Sequence, residues 1–427
     1  MIRVRPALLP LILVVSLFFL WGMANNLNDI LIRQFKKAFE LTDFQSGLVQ
    51  SAFYLGYFLF AIPAGLFMRR YGYKGGIVLG LALYAAGTFL FYPAANARTY
   101  SLFLLALFVI ASGLAFLETS ANPFVTVLGP PETSERRLNL AQAFNPLGSI
   151  TGVLVGRIFI FSGIEHTPEQ IAAMSETARN AYFSAESTAV LTPYLTLGIV
   201  VALLGFLIKL TAFPAVSETD ENGSAHQTPW RQLAAQKRFV FAVIAQFFYV
   251  GAQVGIWSYL IRYAQGTVPG TPEKTAADYL ILSLVLFMIG RFIGAALMRA
   301  VMPAKLLAAY AFMNAILLAI AISLPGRIGL YALIATSFFM SVMFPTIFAL
   351  GIRGLGDTRK LASSILVMSI VGGAILTPLM GAVSGLGGIH WSMSVPLLCF
   401  AVVLCFATYA RPRSTPEVIN ATPDVRA

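Results

Sequence analysis

Apolar runs of about twenty residues recur along almost the whole chain, and they constrain its fold more than any other feature. An α-helix of that length can cross a bilayer with every backbone hydrogen bond satisfied. The sequence has 427 residues, 58% of them hydrophobic and 11% charged, and its mean hydropathy is +0.78. These values predict an all-α polytopic membrane protein that has the lipid bilayer as a partner. Twelve spans are predicted, at about residues 7–31, 44–68, 75–95, 100–128, 138–162, 189–212, 239–263, 277–300, 304–324, 328–350, 361–385 and 392–410.

Two polar segments interrupt the spans, and the second divides them into two sets of six. The first runs from Glu165 to Ser187 and is predicted to be an amphipathic loop. The second runs from Pro214 to Lys237 and is predicted to be a flexible linker. The chain therefore divides into an N-terminal six-helix bundle, a cytoplasmic linker, a C-terminal six-helix bundle and a cytoplasmic tail, at residues 1–213, 214–237, 238–410 and 411–427.

The distribution of lysine and arginine predicts the orientation of the chain in the membrane. If both termini are inside, the inner segments carry 18 of these residues and the outer loops carry 8. Positive residues concentrate in cytoplasmic loops, so both termini are predicted to be cytoplasmic. The same loops account for the net charge of +11, so no nucleic-acid partner is predicted.

The two halves of the chain resemble each other in sequence. P-F-V-T-V-L-G at Pro123 matches P-T-I-F-A-L-G at Pro345, 222 residues later, and the same offset pairs Glu135 with Asp357. Internal repetition around a central linker is typical of a transporter built from two halves. A receptor or a membrane enzyme requires no such symmetry.

Glu118 is the one charged residue between Arg98 and Glu132, within G-L-A-F-L-E-T-S-A-N-P-F-V-T-V-L-G. A mid-span acid costs about 2.5–3.5 kcal/mol on insertion scales, so it faces a polar cavity or a partner. Asn122 lies four residues on, on the same helix face. One interpretation is a structural acid held by a partner such as Arg157. The other is a protonatable carboxyl in a transport path, since low dielectric disfavours the charged form.

Two further spans of the N-terminal half carry polar side chains at helical spacing. Span 1 places Trp21, Asn25 and Asp29 on one face, and Asn26 and Asn28 lie beside them. Amides suit sugar hydroxyls and an indole suits the apolar face of a sugar ring, although solvation at the membrane interface is an alternative. Asp29 lies nearer the outer side than Glu118, as a first proton acceptor would.

Span 5 contains Gln142 and Asn145, three residues apart, which predicts contacts with substrate hydroxyls or, alternatively, hydrogen bonds between helices. Span 7 places Tyr249, Gln253 and Trp257 on one face, which indicates either aromatic packing or a pocket wall. Arg69 and Arg70 follow span 2 and are predicted to form a conformational latch. Arg291 within span 8 is predicted to have a structural or gating role.

No nucleotide-binding loop, catalytic motif or metal-binding constellation is visible in the sequence. An enzyme is therefore not predicted, and neither is a resident cofactor. Active transport by such a chain requires an ion gradient, with the proton as the co-transported ion.

Six segments together make the chain resemble the L-fucose–proton symporter family of the major facilitator superfamily. They are S-L-F-F-L-W-G-M-A-N-N-L-N-D-I-L, Q-S-A-F-Y-L-G-Y-F, L-E-T-S-A-N-P-F-V-T-V-L-G, L-N-L-A-Q-A-F-N, Y-V-G-A-Q-V-G-I-W-S-Y-L-I-R-Y and P-T-I-F-A-L-G-I. The resemblance implies two six-helix bundles around a central cavity, with alternating access. It matches the family's two key acids to Asp29 and Glu118, and its sugar-site amides to Gln142 and Asn145. Arg69 stands where the superfamily usually has an acid, which leaves the latch open to question.

The resemblance leads us to expect a proton-coupled importer of L-fucose, or a related 6-deoxyhexose, in a bacterial-type inner membrane. The partners expected are the sugar, the proton and the bilayer, and the chain is expected to act as a monomer. A galactose or glucose transporter and an uncoupled facilitator remain alternatives, and a polytopic sensor or membrane enzyme is a more distant one.

Overall fold

The computed structural model describes residues 8–41, 43–128, 130–160, 166, 168–212 and 229–411. Within these ranges the chain is helical and contains no strand. Most of the predicted linker and tail lies outside the described residues. The part of the linker that is described forms a short helix, Pro229–Ala235, where the sequence predicts flexible chain.

The described residues of the N-terminal half form nine α-helices. They are α1 Leu8–Ala38, α2 Asp43–Phe89, α3 Phe91–Asn96, α4 Tyr100–Val127, α5 Ser134–Gln142, α6 Phe144–Val155, α7 Pro168–Ala172, α8 Glu176–Thr188 and α9 Leu191–Leu210. Helix α2 is broken at Gly72, whose φ of 70° lies in the left-handed region that glycine tolerates best. It therefore supplies two of the predicted spans. Helices α5 and α6, with the π-helical turn Gly156–Ile160, supply the fifth span.

The described residues of the linker and the C-terminal half form nine more. They are α10 Pro229–Ala235, α11 Lys237–Thr267, α12 Glu273–Leu297, α13 Pro303–Ser323, α14 Arg327–Met340, α15 Met343–Ile352, α16 Arg359–Met368, α17 Gly372–Gly387 and α18 Ser394–Tyr409. Each of the pairs α14–α15 and α16–α17 occupies the place of one predicted span. Ten stretches of the described chain are long and apolar enough to cross a membrane, and Ile12–Asn28 is a shorter apolar helix. The polytopic helical fold is confirmed.

The segment after span 5 differs from the prediction, since it contains helices α7 and α8 where an amphipathic loop is predicted. Glu186 near the end of α8 is 3% exposed. It accepts a hydrogen bond from Gln34 at 2.7 Å and forms an ion pair with Lys37 at 2.8 Å. Because both partners lie on α1, these contacts fasten α8 to the end of the first span.

Glycines allow α1 and α6 to approach backbone to backbone. A Cβ atom on Gly22 would collide with the backbone oxygen of Asn145, and one on Gly148 would collide with that of Phe19. Small residues at such crossings are the usual basis of close helix packing in membranes. The amides on α1 and α6 are therefore held at a fixed separation in this structure.

The two halves meet at the end of the molecule where α1 and α11 begin, which we call the closed end. Glu135 forms an ion pair with Arg353 at 3.3 Å, and Asn139 Nδ2 donates to Thr346 Oγ1 at 3.1 Å. Ser363 Oγ also donates to the backbone oxygen of Thr119 at 3.1 Å. Hydrogen bonds and an ion pair thus join the halves across this end.

The internal repeat is visible in the structure but its chemistry is asymmetric. A 3₁₀ turn precedes helix α5 in one half and helix α16 in the other. Glu135 is buried and paired across the closed end, whereas its counterpart Asp357 is exposed. The shared sequence pattern therefore specifies local geometry and leaves the charges free to differ.

Candidate functional site

A cavity of about 570 Å³ lies between the two halves. Both halves line it, from Asn28 and Gln50 on one side to Arg262 and Gln265 on the other. Arg262 and Gln265 are exposed, and both lie near the end of α11, far from the closed end. The cavity is therefore closed towards the termini and accessible from the opposite end. Eight of the predicted substrate-binding residues line it: Trp21, Asn25, Asn26, Asn28, Gln142, Asn145, Gln253 and Trp257.

Amide side chains form the wall that the N-terminal half contributes. Asn28 Nδ2 donates to Gln50 Oε1 at 3.1 Å, and Asn145 Nδ2 donates to the backbone oxygen of Phe18 at 3.2 Å. Asn26 Nδ2 donates to the backbone oxygen of Gly22 at 3.2 Å. Asn25 Oδ1 is buried and has no hydrogen-bond partner in the described part of the chain. This wall therefore contains a buried acceptor whose hydrogen-bonding capacity is unused among the described residues.

Gln142, which lines the cavity, is hydrogen-bonded to Asn122, which lies behind it. Gln142 Nε2 donates to Asn122 Oδ1 at 2.8 Å, which fixes the orientation of both side chains. Asn122 does not line the cavity, and its Nδ2 has no partner among the described residues. Gln142 is thus placed to contact a substrate, while Asn122 is placed to orient Gln142.

Two tryptophans line the cavity, one from each half. The Trp257 indole donates from Nε1 to Ser337 Oγ at 3.0 Å, and its ring meets the edge of Phe287 at 5.0 Å. The Trp21 ring lies 6.4 Å from that of Phe344, and its indole lies beside the Tyr57 side chain. Indole rings on opposing walls provide apolar faces for the C–H surface of a sugar.

Glu118 lies behind the cavity and does not line it. It is 1% exposed, and neither carboxyl oxygen has a hydrogen-bond partner among the residues the structure describes. Tyr57 lines the cavity, and its hydroxyl lies within electrostatic range of the Glu118 carboxyl and beside Trp21. An ionised carboxyl here is an uncompensated buried charge, whereas a protonated one is not.

The interpretation of Glu118 as a structural acid paired with Arg157 does not agree with this geometry. Arg157 is exposed at the π-helical turn after α6, and no contact with Glu118 is described. The second acid, Asp29, lies in α1, but its side chain is outside the described part of the structure. Its role as a proton acceptor stays a prediction.

Tyr249 is fully buried and does not line the cavity, in contrast to Gln253 and Trp257 on the same helix. Its hydroxyl donates to the backbone oxygen of Met340 at 3.0 Å. This contact agrees with the packing alternative and not with a substrate contact. The three residues predicted on one face of α11 therefore have different roles. Tyr249 packs against a neighbouring helix, whereas Gln253 and Trp257 line the cavity.

The predicted latch residues occupy two different environments. Arg69 and Arg70 are exposed, and the guanidinium of Arg70 lies 5.4 Å from the ring centre of Tyr71, its neighbour in the chain. The described contacts across the closed end involve other side chains. Arg291, in contrast, is 3% exposed, lines the cavity and donates to backbone oxygens of both halves.

Several cavity residues were not predicted from the sequence. The spacing of Gln50, Tyr54 and Tyr57, four and then three residues apart, places them on one face of α2, and that period is the signal that identifies them. Ser258, Arg262 and Gln265 extend the α11 stripe towards the open end in the same way. In the described ranges, no group of three or more His, Cys, Asp and Glu residues is placed to hold a metal ion.

Comparison with known proteins gives consistent matches over most of the chain. The sequence profile of the Major Facilitator Superfamily matches residues 11–360. The L-fucose-proton symporter of Escherichia coli (strain K12) is 48% identical over 417 residues, which cover 96% of this chain and 95% of that protein. The glucose/galactose transporter of Brucella abortus biovar 1 (strain 9-941) is 40% identical over 394 residues, covering 91% and 90% of the two chains.

The fold also matches a solved structure at high sequence identity. The crystal structure of FucP, a Major Facilitator Superfamily transporter in the outward conformation, superposes with a TM-score of 0.87. It is 48% identical and the match covers 94% of this chain and 99% of the other.

Proposed function

Since this chain belongs to the Major Facilitator Superfamily, we propose that it takes up L-fucose together with a proton by alternating access. The observation that carries this proposal is a cavity walled by amides and indoles, together with a buried Glu118 carboxyl that has no hydrogen-bond partner among the described residues. The identity of the sugar is supported by the 48% identity to the L-fucose-proton symporter of Escherichia coli.

Transport begins in the conformation described above, with the cavity accessible from the end opposite the termini. We propose that both termini are cytoplasmic and that the protein lies in a bacterial-type inner membrane, so the cavity faces outwards. Sugar hydroxyls bond to Asn25, Gln142 and Asn145, and the ring packs against Trp21 or Trp257. A single chain contains both halves of the pathway, so we propose that the monomer transports.

Proton coupling follows from the surroundings of Glu118. Closing the cavity around an ionised, unpaired carboxyl leaves a buried charge, which is unfavourable by several kcal/mol. Protonation removes that penalty, so the carrier closes readily when Glu118 holds a proton and the cavity holds a sugar. Asp29 is proposed as an earlier proton acceptor on the same path.

A second candidate is glucose or galactose transport, which the 40% identity to the Brucella abortus transporter favours. The amide wall suits the hydroxyls of either sugar class. L-fucose differs from galactose in handedness and in lacking the 6-hydroxyl, so discrimination depends on small differences in the cavity wall. A competition series with unlabelled glucose, galactose and L-fucose against labelled L-fucose separates the two candidates.

The experiment that tests the proposal is proton movement on adding sugar to de-energised, weakly buffered cells that express the protein. We expect L-fucose to cause a transient external alkalinisation, because the proton enters with the sugar. Alkalinisation with galactose or glucose, and none with L-fucose, would replace the substrate and keep the mechanism. Entry of labelled L-fucose without a pH change would show an uncoupled facilitator.

A further inference from the structure

Three of the chain's prolines, one within α4 and one near the start of each of α6 and α15, bear on the contacts between the two halves. Proline has no N–H group, so the carbonyl four residues before it has no partner within the helix. Pro123 in this way leaves the backbone oxygen of Thr119 without a helical donor, in the middle of α4. Pro146 and Pro345 lie near the starts of α6 and α15, and they leave the oxygens of Gln142 and Ser341 in the same condition.

Each of these three oxygens receives a donor from elsewhere in the fold. Ser363 Oγ donates to Thr119 O at 3.1 Å. Arg291 Nη1 donates to Gln142 O at 2.9 Å, and Arg291 Nε donates to Ser341 O at 2.5 Å. A buried carbonyl without a donor is unfavourable by about 1–3 kcal/mol, so these contacts are needed where the prolines stand.

Arg291 joins the two halves through this pair of bonds. Arg291 lies on α12, and Ser341 lies between α14 and α15 of the same C-terminal half. Gln142 ends α5 in the N-terminal half. The Arg291 guanidinium also lies 4.5 Å from the ring centre of Phe287. A planar guanidinium presents several donors in fixed directions and can serve two acceptors at once, which a lysine ammonium does less well.

We propose that Arg291 is a positioning residue that holds the closed end shut by bridging two carbonyls left open by prolines, one from each half. When the halves separate at this end, Arg291 keeps Ser341 O, which belongs to its own half, and releases Gln142 O. The side chain of Gln142 lines the cavity, so the backbone of this residue bonds to Arg291 while its side chain is available to the substrate. The inference rests on the alternating access of the proposed function and not on the identity of the sugar.

A purely local role is the competing explanation. On this explanation Arg291 supplies a donor to Ser341 O, the oxygen that Pro345 leaves without a helical partner, and stabilises the C-terminal half alone. Its loss would then lower the stability of the protein without changing the balance between conformations. The two explanations are separated by measuring that balance directly and without any substrate.

The experiment uses the full-length chain in lipid nanodiscs, with Cys399 and Cys405 replaced by alanine. Spin labels are attached at Glu132→Cys and Asp357→Cys, two exposed positions on opposite halves of the closed end. Pulsed electron paramagnetic resonance spectroscopy then gives the distribution of distances between the labels. The variants are Arg291→Gln and Arg291→Lys, and the matched control is Arg299→Gln, an exposed cation just after the same helix.

We expect Arg291→Gln to raise the ratio of long to short distances by about tenfold or more, the effect of losing one hydrogen bond from a charged group. Arg291→Lys should give a smaller shift, and Arg299→Gln should give none. An unchanged distribution in a folded Arg291→Gln protein would overturn the proposal. Failure of sugar uptake would overturn the proposed function instead, because the distance measurement requires no sugar.

A second variant keeps the test decisive if Arg291→Gln does not fold. Pro146→Ala restores an N–H group that can donate to Gln142 O, so that oxygen keeps a donor when the halves separate and no longer depends on Arg291. We expect Pro146→Ala alone to raise the proportion of long distances, and Arg291→Gln to add little on that background. An unchanged distribution in Pro146→Ala would show that the bond between Arg291 and Gln142 O does not hold the closed end.

Discussion

Helix α4 and the pair α14–α15 occupy equivalent places in the two halves, yet they differ in whether their buried polar groups have hydrogen-bond partners. In α4 the buried Glu118 has no hydrogen-bond partner among the described residues, and the helix is continuous. In α14–α15 the helix is interrupted, and Tyr249 and Arg291 satisfy the oxygens of Met340 and Ser341. An unpaired acid is free to exchange a proton, whereas paired groups hold a shape. This difference is the basis for our proposal that proton coupling belongs to the N-terminal half, and it leads us to expect a mainly structural role for the buried polar groups of α14–α15.

The largest effect is expected for Glu118→Gln, which tests the functional side of this comparison. Glutamine keeps the shape of the side chain but cannot exchange a proton, so sugar accumulation driven by a proton gradient should fall by at least about tenfold. Exchange of labelled for unlabelled sugar across the membrane should continue. Glu176→Gln, an exposed acid on α8, is the control and should leave accumulation unchanged. Full accumulation by Glu118→Gln would remove Glu118 from the coupling mechanism.

Arg291→Gln should cause the largest loss of stability, about 2–4 kcal/mol, since two buried carbonyls lose a charged donor. Glu118→Gln should lower stability by no more than about 1 kcal/mol, because it removes no described hydrogen bond and replaces an acid whose ionised form is unfavourable when buried. Reversible unfolding in denaturant, followed in detergent micelles, compares the two variants directly. Equal losses for both would mean that the acid is as firmly integrated as the arginine, and the proposed contrast would fail.

Tyr249→Phe sharpens the comparison within a single helix. Removing the hydroxyl leaves the oxygen of Met340 with one donor fewer, so we expect about 1–2 kcal/mol lower stability and an unchanged apparent affinity for sugar. Gln253→Ala, one turn further along α11, should show the reverse pattern because Gln253 lines the cavity. Binding and unfolding measurements on both variants check this. A weaker sugar affinity in Tyr249→Phe would return that residue to the substrate site.

The smallest effect is expected for Pro123→Ala in α4. Alanine restores the N–H group for Thr119 O, which Ser363 already satisfies, so stability should change by less than about 1 kcal/mol. The same substitution should weaken the effect of Ser363→Ala, because the oxygen then has a second donor. A double-mutant cycle on unfolding free energies measures this coupling. Independent, additive effects would show that the serine and the helix amide do not share that oxygen.

The spans were predictable because burial in a bilayer imposes a length and a composition that can be read along the chain. The helices within the polar segment between spans 5 and 6 were not predicted. Helix α8 lies in this polar segment, and its Glu186 contacts Gln34 and Lys37, which are distant in sequence. Tertiary contacts of this kind leave no local signal.

The candidate site was predictable to the extent that helical spacing identifies a face. Trp21, Asn25, Gln253 and Trp257 were placed on the cavity in this way. Spacing cannot tell which neighbour a face meets, so Tyr249 was grouped with residues that point elsewhere. The bonds of Arg291 to two carbonyls were beyond prediction, since backbone oxygens are identical in every residue and only the fold selects among them.

The contact between α1 and α6 has a consequence for how the cavity measures a sugar. Two helices that touch through Gly22 and Gly148 leave no room for a side chain to slide between them. The separation between Asn25 on α1 and Asn145 on α6 is therefore fixed within the N-terminal half. Gln253 and Trp257 on the opposite wall move with the C-terminal half. We expect the fixed pair to select the ring size and hydroxyl pattern of the sugar, and the contacts from the C-terminal half to form only when the two halves close around it.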